Sequence, residues 1–312
     1  MAAKTTTHRT TTAKPPTPAR AAKQSASAGA EDRAQRRVER QSLQRAARRP
    51  RADAADRDDA GGRLFVSALA RGLEVLGAFR AGDRALGNQE LAERTGLPKP
   101  TISRMTHTLI QLGYLTYEAR SATYQLGARA LALSYAALAN LDVRKAALPF
   151  MTKLAEDSQL HVGLGTRERL MMLNIESCES DALIGLRLPP GSRVPLATTS
   201  LGKAYLAMIG EDERRALLAE LRDHHGAEWP KIEKSITKSM REMARQGFCV
   251  STGEWRKDIN AVGAAIVPPN GGPVYALSFG GPAYLVSQQQ LIEHHGPALA
   301  RAAKAISAAL GG

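Results

Sequence analysis

The sequence predicts an α+β chain in two folded parts, and three observations carry that prediction. Residues 86–126 (LGNQELAERTGLPKPTISRMTHTLIQLGYLTYEARSATYQL) read as helix, tight turn, second helix and hairpin, the layout of a winged helix-turn-helix. Beyond residue 143, β-prone runs alternate with helical ones, the pattern of an antiparallel-type sheet with flanking helices. Residues 1–62 are rich in Thr, Ala, Arg and Pro, with Val38 and Leu43 as their only aliphatics beyond Ala. Such a segment buries too little apolar surface to offset its ordering entropy. The 312 residues thus divide into a basic arm expected to be disordered (1–62), a winged helix-turn-helix (63–128), a linker helix (129–142) and an α+β domain of ligand-binding pattern (143–312).

Taken in order, order begins at Leu64. Phe65, Leu69, Leu73, Leu76 and Phe79 recur at helical spacing and predict an amphipathic helix over 67–80. Asp83 and Arg84 mark a loop. Gly87 or Asn88 caps a short helix that buries Leu91 and Ala92 and ends at Gly96, whose freedom at positive φ permits the tight turn. Pro98 and Pro100 bracket the next start, where a missing N–H has no partner to lose. That helix spans 100–112, with Ile102, Met105, Leu109 and Leu112 as its buried stripe and Gly113 as its stop. Residues 114–117 and 123–126 flank a polar tip and form the wing. The Leu/Ala helix at 129–140 carries Leu131, Leu133 and Leu138, which with Leu141 can pair with a second copy as well as with its own domain. Helices are then expected over 146–158, 200–209, 211–221, 232–245 and 287–310. Strands are expected over 160–166, 169–177, 182–188, 248–253, 261–267 and 274–279.

Composition bounds the partners. A net charge of +13, from 43 basic and 30 acidic residues, favours a polyanion. Over half of that excess lies in residues 1–62, which hold 14 basic and 7 acidic side chains, so the motif is the better witness. Cys178 and Cys249 are the only cysteines and have no metal-ligand spacing; they read as small buried hydrophobes in a reducing cytoplasm. No apolar run approaches the ~20 residues needed to cross a bilayer, and no apolar core follows the N-terminal basic residues as in a secretory signal. A cytoplasmic protein without membrane association is expected. His224-His225 and His294-His295 are adjacent pairs, and neighbours do not share a helix face. No metal site and no cofactor are expected. His161 reads as a strand histidine facing a core, and no nucleophile has a placed partner, so no enzyme is expected. The Gly271-Gly272-Pro273 and Gly280-Gly281-Pro282 runs read as turns.

The second helix of the motif supplies the candidate DNA-reading face. Ser103, Arg104 and His107 point away from its apolar stripe, near the end that enters a major groove. Arg104 can bond guanine O6 and N7 together. Lys99 and Thr101 are placed for phosphates, which fix register without reading sequence. Arg120 and Ser121 on the wing tip would reach a backbone or the adjacent minor groove. For His107 a base contact and a plain exposed histidine both stay open.

The run Ala92-Glu93-Arg94-Thr95-Gly96-Leu97-Pro98-Lys99-Pro100-Thr101-Ile102-Ser103-Arg104, with Gly113-Tyr114-Leu115 and Tyr124-Gln125-Leu126-Gly127, resembles the IclR family of bacterial transcriptional regulators. The resemblance continues through Gly191-Ser192-Arg193-Val194-Pro195-Leu196, Gly202-Lys203-Ala204, Glu254, the strand at 263–267 and Ser278-Phe279-Gly280-Gly281-Pro282. It implies a GAF-like C-terminal domain and a homodimer or tetramer on a palindromic double-stranded DNA operator. It also implies a small effector, often a carboxylic or aromatic acid, and action as repressor or activator. By position it implies an effector lining of Leu183, Leu186, Val194, Ser200, Leu201, Ser251, Ile259, Ala261, Ser278 and Gly280. Ser200 opens an expected helix, and a helix N-terminus favours an anion on physical grounds as well. Where many members read His-Ala-Thr-Ala, this chain reads Ala197-Thr198-Thr199-Ser200, so ligand identity does not transfer. Trp255, Arg256 and Asp258 fall near the lining, where Trp255 could stack on an aromatic effector and Arg256 neutralise an acid; a plain surface loop is the alternative. Two other functions stay open: a constitutive DNA-binding protein whose C-terminal half only oligomerises, and a metabolite-converting enzyme with a DNA-binding domain.

Overall fold

The computed structural model describes residues 65–179 and 186–311. The basic arm and Leu183 lie outside the described residues, as does most of the strand expected at 182–188.

The N-terminal part follows the local signals. Helix α1 (Ser67–Gly77), strand β1 (Leu86–Gly87), helices α2 (Asn88–Thr95) and α3 (Lys99–Gln111), and strands β2 (Leu115–Glu118) and β3 (Thr123–Leu126) pack around Val75, Phe79, Leu86, Leu91, Ile102, Leu109 and Leu115. Gly96 caps α2 at φ +74° and makes the turn into α3. The wing is a three-stranded antiparallel sheet in the order β1-β3-β2, since Leu86 and Gly87 pair with Tyr124 and Thr123. Three details differ from expectation. Helix α1 ends at Gly77, and Phe65, Leu69 and Leu73 are exposed together with Val66. The periodicity correctly groups those residues on one face, but nothing in the described chain covers that face. Leu112 falls on the turn after α3 and is half-exposed, while Thr106 is buried in the stripe with its hydroxyl donating to Ile102 O at 3.0 Å. Asp83 does more than mark a loop: it pairs with the buried Arg94, which also donates to Ala78 O at 3.0 Å.

Helix α4 (Ala128–Ala139) buries none of its residues. Helix α5 (Asp142–Ser158) begins one residue before the expected domain start. It leads into an antiparallel six-stranded sheet in the order β6-β5-β4-β9-β8-β7. Its strands are β4 (His161–Glu168), β5 (Met171–Cys178), β6 (Arg193–Pro195), β7 (Cys249–Thr252), β8 (Ile259–Ile266) and β9 (Tyr275–Pro282). Helices α6 (Ser200–Met208), α7 (Glu211–His225) and α8 (Trp229–Gln246) lie between β6 and β7; the short α9 (Gln288–Gln290), a π-helical stretch (Leu291–His295) and α10 (Gly296–Ala309) close the chain.

Strand alternation sorts the side chains into two cores. Val162 and Leu164, Val262, Ala264 and Ile266, and Leu277 and Phe279 pack with α5 and α10. Met172, Cys249 and Ala276 face the other way, toward α6, α7 and α8. Two expectations are corrected here. Residues 186–188 form no strand; the edge strand is the three-residue β6. Gly280-Gly281-Pro282 is no turn but the end of β9, because pairing with β8 (Gly280 with Ala261, Pro282 with Ile259) overrides the local turn signal.

Candidate functional site

On the face toward α6, cross-strand pairing sets side chains in rows. His161, Gly280, Ala261 and Ser251 form one row, Gly163, Ser278, Gly263 and Cys249 the next, and Gly165, Ala276 and Ala265 a third. The glycines let α6 approach the sheet backbone. A Cβ on Gly263 would lie 2.2 Å from Ser200 O, one on Gly165 2.8 Å from Leu201 Cδ2, and one on Gly202 2.0 Å from Leu196 O. Glycine in a strand marks such close approaches. Beside the helix the small residues leave an open cavity, whose empty space counted out to the solvent at its mouth is about 520 Å³.

Leu186, Val194, Ser200, Leu201, Ser251, Ile259, Ala261 and Ser278 all line this cavity. Gly280 does not; it sits between His161 and Ala261, and a Cβ there would lie 2.6 Å from Ala261 Cβ. Trp255 is part of the wall. Arg256 is not: its guanidinium pairs with Asp258 at 3.0 Å and lies 6.0 Å from the Trp255 ring centre. His161, Asn174, Leu188 and Thr199 line the cavity without having been anticipated. A signal for His161 was present in His161-Val162-Gly163-Leu164-Gly165. Alternation places Val162 and Leu164 on one face, so the histidine shares the other with two glycines.

The polar groups fall in two places. At α6, Thr199 caps the helix, accepting from Gly202 N at 3.1 Å and donating to Pro195 O at 2.7 Å. The Ser200 and Leu201 amides have no intrahelical acceptor, as for any first turn, and the helix dipole adds roughly half a positive charge there. Ser251 Oγ donates to Thr198 O at 3.2 Å and steadies the cap. Lys203, fully buried, holds Glu254 Oε2 at 2.5 Å and Ser235 Oγ at 2.6 Å, tying α6 and α8 to the loop that carries Trp255. Burial pushes the Cys249 thiol up to about 12, so it is no nucleophile at neutral pH.

The second polar place lies over Gly163. A Cβ there would lie 3.0 Å from His161 Cε1, 3.1 Å from Asn174 Oδ1 and 3.5 Å from Ser278 Oγ. Asn174 is aimed by a bulge: Gly165 pairs with Asn174 and Leu164 with Glu176, which leaves Ile175 as the extra residue. The bulge also turns Glu176 to its ion pair with Arg144 on α5, at 2.5 Å. Asn174 Nδ2 donates to Ser177 Oγ at 2.7 Å. Two buried atoms of cavity-lining residues have no hydrogen-bond partner among the described residues, His161 Nε2 and Trp255 Nε1. Leaving such an atom unmet costs about 1–3 kcal/mol, which a ligand can recover.

Burial lowers the pKa of His161 despite the opposing effects of the Leu188 carbonyl and Glu179; burial also lowers His225 and His295. A histidine held neutral in the fold binds fewer protons than in the unfolded chain, whose value is about 6.5. Stability is therefore complete above that value and falls as the pH drops below it. We expect the urea midpoint to decline from about pH 7 to about pH 5, and His161→Gln to flatten the decline. An identical decline in the variant would show that His161 does not contribute.

On the N-terminal part, Ser103, Arg104 and His107 are exposed along α3. Ser103 gives its one proton to Lys99 O at 3.1 Å and accepts from Asn88 Nδ2 at 2.9 Å, so toward a base edge it can only accept. The Arg104 side chain has no partner among the described residues. Lys99 is exposed with Nζ 3.4 Å from Gln89 Oε1, and Thr101 is half-buried. Arg120 and Ser121 are exposed at the wing tip, where Ser121 Oγ lies 2.8 Å from Thr123 Oγ1. No described helix is long and apolar enough to cross a membrane.

Comparison with known proteins bears on both parts. Residues 68–119 match the family described as "IclR helix-turn-helix domain", and residues 135–308 match "Bacterial transcriptional regulator IclR C-terminal". The chain is 35% identical over 246 residues to the HTH-type transcriptional regulator TsaQ1/TsaQ2 of Comamonas testosteroni, covering 78% of this chain and 88% of that one. The crystal structure of an IclR family transcriptional regulator from Brucella abortus superposes with a TM-score of 0.72 at 40% identity, covering 83% of this chain and 97% of that one. An IclR homologue from Microbacterium hydrocarbonoxydans, solved in complex with 4-hydroxybenzoate, shares the fold at a TM-score of 0.62 and 21% identity, covering 78% and 98%.

Proposed function

The chain belongs to the IclR family of bacterial transcriptional regulators, and from that premise we propose a cytoplasmic, ligand-responsive regulator that binds a palindromic operator and senses a small carboxylate-bearing metabolite. The observation that carries the ligand class is the capped N-terminus of α6 beside the cavity, with Ser200 and Leu201 in its wall. First-turn amides without an intrahelical acceptor and a helix dipole favour a carboxylate over a neutral group. Thermal-shift measurements on organic acids and their primary amides test this. A ligand at about 100 times its Kd adds about 2.7 kcal/mol. Acids should raise the melting temperature and their amides should not; equal shifts from both would remove the carboxylate reading.

The same reading makes the protein a homodimer or tetramer. Helix α4 exposes Leu131, Leu133 and Tyr135, and α1 exposes Leu69 and Leu73, with Phe65 and Val66 exposed just before it. A short helix that buries nothing is marginal in water, so a second copy supplies the missing contacts. Effector binding would then shift the population of dimer arrangements and alter the spacing of the two α3 helices, which must match half-sites about one helical turn apart or a multiple of it. The double variant Leu133→Glu, Leu138→Glu should sediment as a monomer and lose operator affinity by about 100-fold or more. If dimerisation and effector response both persist, α4 is not the coupling element.

A further inference from the structure

The carboxylate reading leaves half of the cavity unexplained. His161, only 5% exposed, holds an unpartnered Nε2, and its Cε1 edge converges with Asn174 Oδ1 and Ser278 Oγ on the space over Gly163. This cluster, drawn from β4, β5 and β9, centres on Gly163 of β4, whereas the α6 N-terminus lies over Gly263 of β8 in the same cross-strand row. With β9 between them, two strand spacings separate β4 from β8, roughly 10 Å between backbones.

We propose that His161, Asn174 and Ser278 form a second polar subsite that reads an uncharged hydroxyl at the end of the effector opposite its acid group, so that the effector is a hydroxy-substituted monocarboxylate. The inference rests on the carboxylate reading and adds the other end of the ligand. The chemistry at this end selects against its rivals. Among the described residues no Lys or Arg lines the cavity, and one helix N-terminus supplies roughly half a positive charge. A second carboxylate would therefore lie uncompensated against a ring that burial keeps neutral. A hydrogen or methyl group would leave Nε2 without a partner. A hydroxyl both donates and accepts, so it meets Nε2 in either tautomer and Asn174 Oδ1 as well. Gly163 makes the room, since any larger residue would fill the point where these atoms meet.

The test is calorimetric titration of the full chain with two matched sets of acids: benzoate, 4-hydroxybenzoate and terephthalate, then butyrate, 4-hydroxybutyrate and succinate. In at least one set the hydroxy acid should bind about 10-fold tighter or better than both counterparts, because a site built to bond a hydroxyl rejects the analogue lacking it. His161→Phe should erase the preference while the unsubstituted acid keeps its affinity, and His161→Gln should retain part of it. Ser278→Ala provides the same readout should His161→Phe fail to fold. Equal binding within both sets, or a preference that survives His161→Phe, overturns the hydroxyl subsite alone. If none of the acids binds, the carboxylate reading falls and takes this one with it.

Discussion

Arg104→Ala should weaken binding to a specific operator far more than binding to random duplex. The side chain stands exposed on α3, has no protein partner among the described residues, and lies one turn from the helix start, where a recognition helix meets base edges. An arginine bonding guanine through both acceptors is worth about 1–3 kcal/mol of discrimination, so two copies on a two-fold operator lose about 2–6 kcal/mol. On random DNA the loss is confined to electrostatics, about one unit of salt slope per copy. Fluorescence anisotropy with operator and scrambled duplexes of equal length, across a salt series, separates the two effects. Equal losses on both duplexes would reduce Arg104 to a phosphate contact. Lys99→Ala, by contrast, should weaken both duplexes alike.

Gly202→Ala should cost the C-terminal domain more stability than an ordinary overpacking change. The new Cβ would lie 2.0 Å from Leu196 O and 2.6 Å from Leu196 Cα, both backbone atoms. The helix has little room to retreat, because Ser200 O already rests against Gly263, where an added Cβ would come within 2.2 Å. Overpacking usually costs about 1–3 kcal/mol; a clash held between two backbones belongs above that, at about 3–5 kcal/mol. For a domain of this size that is a fall of about 6–20 °C in Tm. Gly210→Ala is the control, since a Cβ there meets nothing within 4 Å. A Gly202→Ala melting temperature equal to that of the control would show that α6 is free to shift. Because α6 also presents its first amides beside the cavity, the variant should lose its response to acids with its stability.

Legibility in the sequence followed the range of the contacts. The helix-turn-helix was readable almost residue by residue because each signal acts within one turn: Gly96 at positive φ, proline in the first turn of α3, and Gly113 at its stop. The misses in that part concern partners. Periodicity shows that Phe65, Leu69 and Leu73 share a face but not whether their own chain covers it. Likewise it assigns Leu112 to the α3 stripe although the helix ends at Gln111 and leaves that side chain half-exposed. In the C-terminal domain most helices and strands were recoverable, but the short edge strand β6 has too few residues to show a period. Gly280-Gly281-Pro282 looked like a turn because the pairing that makes it a strand comes from β8.

The cavity lining was partly legible, through the positions that the family resemblance implies: Leu186, Val194, Ser200, Leu201, Ser251, Ile259, Ala261 and Ser278. His161 was legible only as sharing a strand face with Gly163 and Gly165, and Asn174 was not legible at all. Neither belongs to a motif, and each reaches the cavity through pairing that its own strand does not specify. His161 does so through its register with Gly280, and Asn174 through the bulge at Ile175. By itself the sequence determined the DNA-reading module, the family and the two-part architecture, because those rest on local backbone preferences and on periodicity. The tertiary structure alone decided how the polar groups of His161, Asn174 and Ser278 come together in the cavity. Cross-strand register and a one-residue bulge bring residues far apart in the chain to one point, and no local propensity encodes either.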